Sequence, residues 1–348
     1  MRRISLVITA VMVAFMVGGG FADGTGAENQ SSPAISDGEF VKIGGIDQWI
    51  DIHGDNQANP VIVVLHGGPG ETQTPLEQFY TGWYKYFTVV QWDQRGAGKT
   101  FGRNGKSTPD MTSDRMVQDG IEVAEYVRQR LGKDKVIVVG HSWGSSLGVH
   151  MIKKRPDLFY AYVGTGQVVS WSQTMAVQYA YAMKRAEAEK NQDALRELRE
   201  IGPPPREFGP KFFIAHKWRN HYLADSDTKY LQKQLDIVRA APNFSPQDVQ
   251  DWIAGGRFTI PALGLTDAAI DLPATEGYDM PVPFYIIQGQ EDHITPTSLA
   301  QDYFRKIRAP RKRMVLIRNG GHFAYVTNRE EFLAALVKYV RPQAAASH

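Results

Sequence analysis

The chain has 348 residues, too many for one small core and enough for a large α/β domain with an insertion, or for two domains. Hydrophobic residues make up 43% and charged residues 22%, a composition that excludes a disordered chain. With 39 basic against 37 acidic residues the net charge is only +2, so nothing electrostatic favours nucleic acid, and with no cysteine the chain has no disulfide, thiol nucleophile or lipidated cysteine anchor.

Taken in chain order, Arg2-Arg3 is a short basic lead into the apolar run Ile4 to Val17, followed by Gly18-Gly19-Gly20-Phe21-Ala22. This pattern predicts an export signal over residues 1–22 and a protein that is periplasmic or secreted. As a helix the apolar run would reach ~21 Å, short of the ~30 Å hydrocarbon layer, so no stable membrane span is expected after signal removal. Residues 23–38 are polar and glycine-rich and read as a flexible arm. "EFVKIGGIDQWIDIHG" (Glu39 to Gly54) predicts an antiparallel strand pair.

"VIVVLH" (Val61 to His66), "FTVVQWD" (Phe87 to Asp93) and "KVIVVGH" (Lys135 to His141) are unbroken apolar runs of strand length, the pattern of parallel strands buried on both faces. Between the last two, Met116, Val117, Ile121, Ala124, Val127 and Leu131 recur at helical spacing over Asp114 to Leu131, and Gly132 stops the helix. Strand, helix, strand is a right-handed crossover unit. From residue 166 to 280 the reading is a helical insertion. Thr174 to Glu200 reads as one long charged helix, "GPPPREFGP" (Gly202 to Pro210) cannot be helix interior, and Trp218, Tyr222 and Trp252 fall on further helices. Strands resume at "PVPFYIIQG" (Pro281 to Gly289) and "KRMVLIRNGGH" (Lys312 to His322), and Arg329 to Val340 is the last helix. The core is thus 39–165 with 281–342, and the cap is 166–280.

"VIVVGHSWGSSLG" (Val136 to Gly148) carries the chemistry. Gly-x-Ser-x-Gly between a strand and a helix places Ser142 on a crowded turn, with Gly140 and Gly144 removing side chains that would collide there. Serine needs a base, and the base an orienting acid. Of nine histidines, His322 follows the last strand behind two glycines in "NGGHF"; His141, His150, His216, His221, His293 and His348 lack that setting. The preceding strand ends in "GQEDHITP", which offers Glu291 and Asp292. The chain order serine, acid, histidine is that of the α/β-hydrolase fold: a mostly parallel central sheet with helices on both faces, here with a helical cap. Acyl transfer also needs donors for an oxyanion. "HGGPG" (His66 to Gly70) is a glycine-rich loop after an early strand, so Gly68, or else Gly67, is the expected first donor, with Trp143 the second. His66 is expected to tie the loop rather than react.

With "HGGPG", "DQRGAGKT" (Asp93 to Thr100), "GHSWGSSLG", "GQEDHITP" and "GGHF" in this order, the chain resembles the prolyl aminopeptidase (proline iminopeptidase) family over about 40–165 and 281–340. The resemblance implies a Ser142, Asp292, His322 triad, choosing Asp292 over Glu291, and an oxyanion hole from Gly68 and Trp143. It departs in the cap, where that family has a Trp-Glu pair whose glutamate holds the substrate's free amine. Here "AHKWRNHY" (Ala215 to Tyr222) has Trp218-Arg219, and a cation repels an ammonium. The sequence does not place the other cap acids, Asp225, Asp227, Glu276 and Asp279, in a pocket. The cap aromatics, Trp171, Tyr179 and Tyr181 among them, point to an apolar one.

The expected activity is that of an exported serine hydrolase cleaving short peptides or amides, with a small-ester hydrolase or lactonase as the alternative. No cofactor or metal is expected, and the expected partner is a small molecule or short peptide. A catalytically dead binding scaffold is disfavoured by the intact triad and loop. Dehalogenase and epoxide hydrolase chemistry would want aspartate where Ser142 stands.

Overall fold

The computed structural model describes residues 32–204, 209–264 and 270–345. The expected signal over residues 1–22 and most of the expected arm lie outside them. Eight strands form one sheet: β1 (Ile35–Ile43), β2 (Ile46–Gly54), β3 (Val61–Leu65), β4 (Thr88–Trp92), β5 (Val136–His141), β6 (Phe159–Thr165), β7 (Phe284–Gly289) and β8 (Lys312–Ile317). Their order is β1-β2-β4-β3-β5-β6-β7-β8. The first two pairings, β1 with β2 and β2 with β4, are antiparallel, and all later ones are parallel. β1 begins at Ile35, so the last four residues of the stretch read as an arm are strand.

The unbroken apolar runs have a direct packing reason. Val61, Val63, Leu65, Val136 and Val138 enter one buried cluster, while Ile62, Val64, Ile137 and Val139 enter another. Alternate side chains of one strand therefore fill two cores, one on each side of the sheet. The first core is closed by α2 (Ser113–Leu131) and α3 (Trp143–Lys154), which follow the short α1 (Gly98–Asn104) in the chain. α2 starts on Thr112, whose side chain accepts from the Arg115 amide, and stops on Gly132 at φ 60°.

The cap differs from the expected single helix. α4 (Trp171–Ala188) and α5 (Gln192–Ile201) are separate, with Lys190 at φ 55° between them and the Asn191 side chain capping α5 through the Ala194 amide. α6 (Pro210–His221) packs with both around Ala182, Ala186, Leu198 and Trp218. α7 (Asp225–Arg239) and α8 (Pro246–Leu263) share a second small core of Val238, Phe244 and Val249. After the single turn α9 (Leu272–Thr275) the chain re-enters the sheet. α10 (Thr297–Lys306), the turn α11 (Ala324–Thr327) and α12 (Arg329–Ala335) complete the core, and α12 runs on as a wider π turn over Leu336–Val340. No helix among the described residues is long and apolar enough to cross a membrane.

The sheet order fixes where the site lies. From β3 the chain moves outward to β4 and then crosses back over to β5, on the other side of β3. The loops leaving the carboxyl ends of β3 and β5 are therefore neighbours that run apart, which opens a crevice above the sheet.

Candidate active site

Ser142 links β5 to α3 with φ 53° and ψ −122°, a backbone conformation that non-glycine residues rarely hold. The surroundings enforce it. A Cβ on Gly140 would lie 2.3 Å from the Gly144 carbonyl oxygen, and one on Gly144 would lie 2.1 Å from the Leu65 carbonyl oxygen. The Ser142 amide donates to the Thr165 carbonyl at 3.0 Å, and the Ser145 amide and hydroxyl both donate to the Ser142 carbonyl, at 2.8 and 2.6 Å. His141 and Trp143 on either side are buried, whereas Ser142 retains access to solvent.

The carboxyl ends of β7 and β8 bring Asp292 to His322. Asp292 Oδ2 is 2.9 Å from His322 Nδ1, with both residues buried. The Thr295 hydroxyl donates to the same oxygen at 2.8 Å, and the Ile294 and Thr295 amides donate to Oδ1 at 2.9 Å each. The other partners of this carboxylate are donors, so His322 Nδ1 donates its proton to it. Glu291 is exposed and takes no part. The His322 ring lies 4.6 Å, centroid to centroid, from that of His141, the residue before Ser142. Gly166 is the floor between them: a Cβ there would sit 2.7 Å from His322 Cε1.

The glycine loop after β3 closes over the serine. A Cβ on Gly67 would lie 3.0 Å from Ser142 Cβ, so the loop touches the residue on the strained turn. Gly68 and Gly70 have φ of 108° and 97°, and the Gly68–Pro69 peptide is cis. Among the described residues, neither the Gly68 nor the Trp143 amide donates to a protein group. His66 Nε2 accepts the Gln94 amide at 3.1 Å, so Nδ1 bears the proton and donates to the Gly67 carbonyl at 2.8 Å. Burial pulls the His66 pKa down to about 4, so the ring is a neutral brace.

The "DQRG" motif, which the sequence carried only as a family likeness, has three mechanical uses here. Asp93 accepts from the Thr72 and Thr74 hydroxyls and from the Lys99 amide, and burial lifts its pKa to about 6. Gln94 returns a bond to the His66 carbonyl at 3.1 Å and accepts the Trp143 indole N–H at 3.2 Å. Arg95, wholly buried, pairs with Asp119 at 2.8 Å and donates to the Gly44 carbonyl. One tetrapeptide thus braces the loop after β3, the start of α3 and the β1–β2 turn.

The cap supplies residues that sequence reasoning left unplaced. Asp227 on α7 is fully buried and accepts the His322 and Phe323 amides, at 2.7 and 3.1 Å. A Cβ on Gly321 would lie 2.1 Å from its Oδ2, which gives one of the two glycines before His322 its reason. Burial raises the Asp227 carboxyl, and the neighbouring His322 opposes that rise. Glu276 instead pairs with His150 at 2.5 Å, and exposed Asp279 with Arg308. The Trp218 indole donates to Glu197 at 2.8 Å. Arg219 sits within electrostatic reach of Asp292, and burial lowers its guanidinium to about 10, so it remains a cation at neutral pH. Glu71, directly after the glycine loop, is open to water yet hemmed in by protein. Burial raises its carboxyl, and His322 and Gln234 pull it back down. Among the described residues the one group of three metal-ligand types within 4.8 Å is Asp51, His53 and Glu77. It lies on β2 and the helical turn Thr74–Phe79, apart from the residues above, and the His53–Asp51 contact of 3.1 Å pairs two of its members.

Residues 60–329 match the family model described as the alpha/beta hydrolase fold. Among curated proteins the chain is 29% identical over 306 residues to "Probable aminopeptidase YbaC" of Bacillus subtilis, covering 86% of this chain and 95% of that one. It is 24% identical over 305 residues to the proline iminopeptidase of Saccharolobus solfataricus, covering 86% and 91%. Among solved structures, a proline iminopeptidase-related protein from Thermus thermophilus superposes with a TM-score of 0.60 at 19% identity, over 90% of this chain and 99% of that chain. With the sheet order, the strained Ser142 and the Asp292–His322 pair in place, the chain belongs to the α/β-hydrolase fold family and resembles its proline iminopeptidases.

Proposed function

We propose that this hydrolase is a serine enzyme that cleaves short peptides or amides at a free amino terminus, in the manner of a prolyl aminopeptidase. The observation that carries the reading is the 2.9 Å contact of Asp292 with His322 beside a strained, accessible Ser142. In the proposed reaction Ser142 Oγ attacks the carbonyl carbon while His322 Nε2 takes its proton, and Asp292 orients the ring and stabilises the imidazolium. The Gly68 and Trp143 amides receive the oxyanion, each such donor contributing ~2.7–4 kcal/mol to transition-state stabilisation. As the C–N bond breaks, His322 returns the proton to the leaving amine. Water, deprotonated by the same histidine, then releases the acid from Ser142.

The names of the similar proteins from Bacillus subtilis and Saccharolobus solfataricus support the amide reading. One observation favours ester hydrolysis instead: Arg219 stands where a glutamate would attract an amine. Parallel assays of a prolyl aryl amide and a short aryl ester, with Ser142→Ala as control, separate the two. Amide turnover lost in Ser142→Ala is expected; ester turnover with no amide cleavage would leave the esterase reading standing. We also infer export, from the charged pair, apolar run and small residues over 1–22, and N-terminal sequencing of the mature protein tests it.

A further inference from the structure

Two charged groups at the site, Glu71 and Arg219, form no ion pair among the described residues. Glu71 lies within electrostatic reach of His322, Tyr230 and Tyr325. Its chain folds back over the glycine loop, the amide donating to the Gly67 carbonyl at 3.3 Å and Cγ lying 3.4 Å from where a Gly68 Cβ would be. On the cap side, Phe212, Ala215 and His216 of α6 face Met175, Gln178 and Tyr179 of α4. Gln178 donates to the Ile294 carbonyl at 2.6 Å, in the same loop as Asp292. Arg219 occupies the next position on that face of α6, three residues after His216, and lies within electrostatic reach of Asp292. Its one hydrogen bond among the described residues is from Nε to the Asn220 side chain, which leaves the rest of the guanidinium fork without an acceptor.

Sheet order places these charges on opposite flanks of Ser142. Glu71 follows β3, Ser142 follows β5, and the loop that Arg219 addresses follows β7. β3 and β7 stand three strand spacings apart, about 14 Å. An extended dipeptide holds its charged termini about 6 Å apart, which leaves about 4 Å on each flank for the two side chains to cross. The order of charges also fits the chemistry. The acyl half of a peptide lies under the oxyanion loop, beside Glu71. The leaving half must lie by His322, which protonates its nitrogen, and beyond His322 come Asp292 and Arg219.

We propose that Glu71 receives the substrate's ammonium and Arg219 the carboxylate of its leaving half, so that the preferred substrate is a zwitterionic dipeptide. This rests on the amide-hydrolase reading above and answers the difficulty that Arg219 poses for it: the cation faces the leaving group, and the amine is held from the core side of the cleft. A guanidinium suits a carboxylate because its planar fork can bind both oxygens.

The test compares prolyl-alanine, its C-terminal amide and its N-acetyl derivative on the full protein and on Glu71→Gln and Arg219→Gln. The parent protein should favour the dipeptide over its amide at least tenfold in kcat/KM, and over the N-acetyl form at least a hundredfold. Glu71→Gln should collapse the second ratio at least thirtyfold while the first keeps its sign. Arg219→Gln should bring the first ratio to near one while the second keeps its sign. Equal losses on all three substrates, or ratios left unmoved, would show structural roles and overturn the proposal. If the parent cleaves aryl esters but no peptide, the amide reading fails, and the two charges are then judged by inhibition of ester hydrolysis with uncleaved prolyl-alanine. A Ki weakened at least tenfold in each variant supports the paired sites; an unchanged Ki refutes them.

Discussion

Ser142 and Asp292 are each held by groups whose only use is to hold them. Ser142 keeps its left-handed conformation because the backbone of Gly144 and Leu65 leaves no room for side chains at Gly140 and Gly144. Asp292 has three donors besides His322 on its two oxygens, the Ile294 and Thr295 amides and the Thr295 hydroxyl, and they fix the carboxylate that fixes His322. Glu291, its sequence neighbour and its equal as an acid, is exposed. Asp292→Asn is therefore expected to lower kcat by about 10³–10⁴-fold, since the amide places a donor where the Nδ1 proton must go. Glu291→Gln should stay within about twofold. Steady-state kinetics of the pair checks this, and the reverse ranking would reassign the acid. At this scale the sequence was most informative. Ser142, Asp292 and His322 stood in readable order because each sits at the end of a strand, and strand ends are marked by glycines.

Asp227 shows what sequence could not show at the level of elements. It sits on a cap helix, 95 residues before the His322 amide it accepts, and no local pattern marks it. Gln94 and His66, 28 residues apart, are a second such pair, joined because β3 and β4 are adjacent in the sheet. The missed strand β6, "FYAYVGT", mixes aromatic and small residues and lacks the β-branched run that announces β3, β4 and β5. The long helix expected over Thr174 to Glu200 breaks because Asn191 caps a new helix instead of continuing the old one. Through Asp227, cap element α7 holds the segment of the core that carries His322. Asp227→Asn keeps the size but turns one acceptor into a donor facing an amide. A tenfold or greater fall in kcat, with faster hydrogen exchange at residues 320–323 and an unchanged circular dichroism spectrum, is the expected result. Parent-like exchange in that segment would remove Asp227 from the positioning of His322.

Two cores on one sheet make the molecule, and two buried groups near the site pull its stability in opposite directions with pH. His66 has a folded pKa of about 4, below its ordinary value, so the folded state binds fewer protons than the unfolded state. Its contribution is present above about pH 6.5 and is lost as pH falls toward 4, up to about 3 kcal/mol. Asp93 is raised to about 6, so the folded state binds more protons there. Its contribution is present below about pH 4 and is lost as pH rises through 6, also up to about 3 kcal/mol. The two largely cancel between pH 4 and 6. Relative to the parent, Asp93→Asn should steepen the loss of stability on going from pH 7 to pH 4, and His66→Gln should flatten or invert it. Urea unfolding at the two pH values measures both, and parallel pH profiles for all three proteins would contradict the burial of these groups. The catalytic core itself is tested most directly by labelling: incubate the protein with an aryl fluorophosphonate, digest it, and map the adduct by mass spectrometry. The expected result is one stoichiometric adduct on Ser142, slowed at least a hundredfold in His322→Ala. An adduct on another residue, or labelling of Ser142 at the parent rate without His322, would contradict the Ser142–His322–Asp292 mechanism.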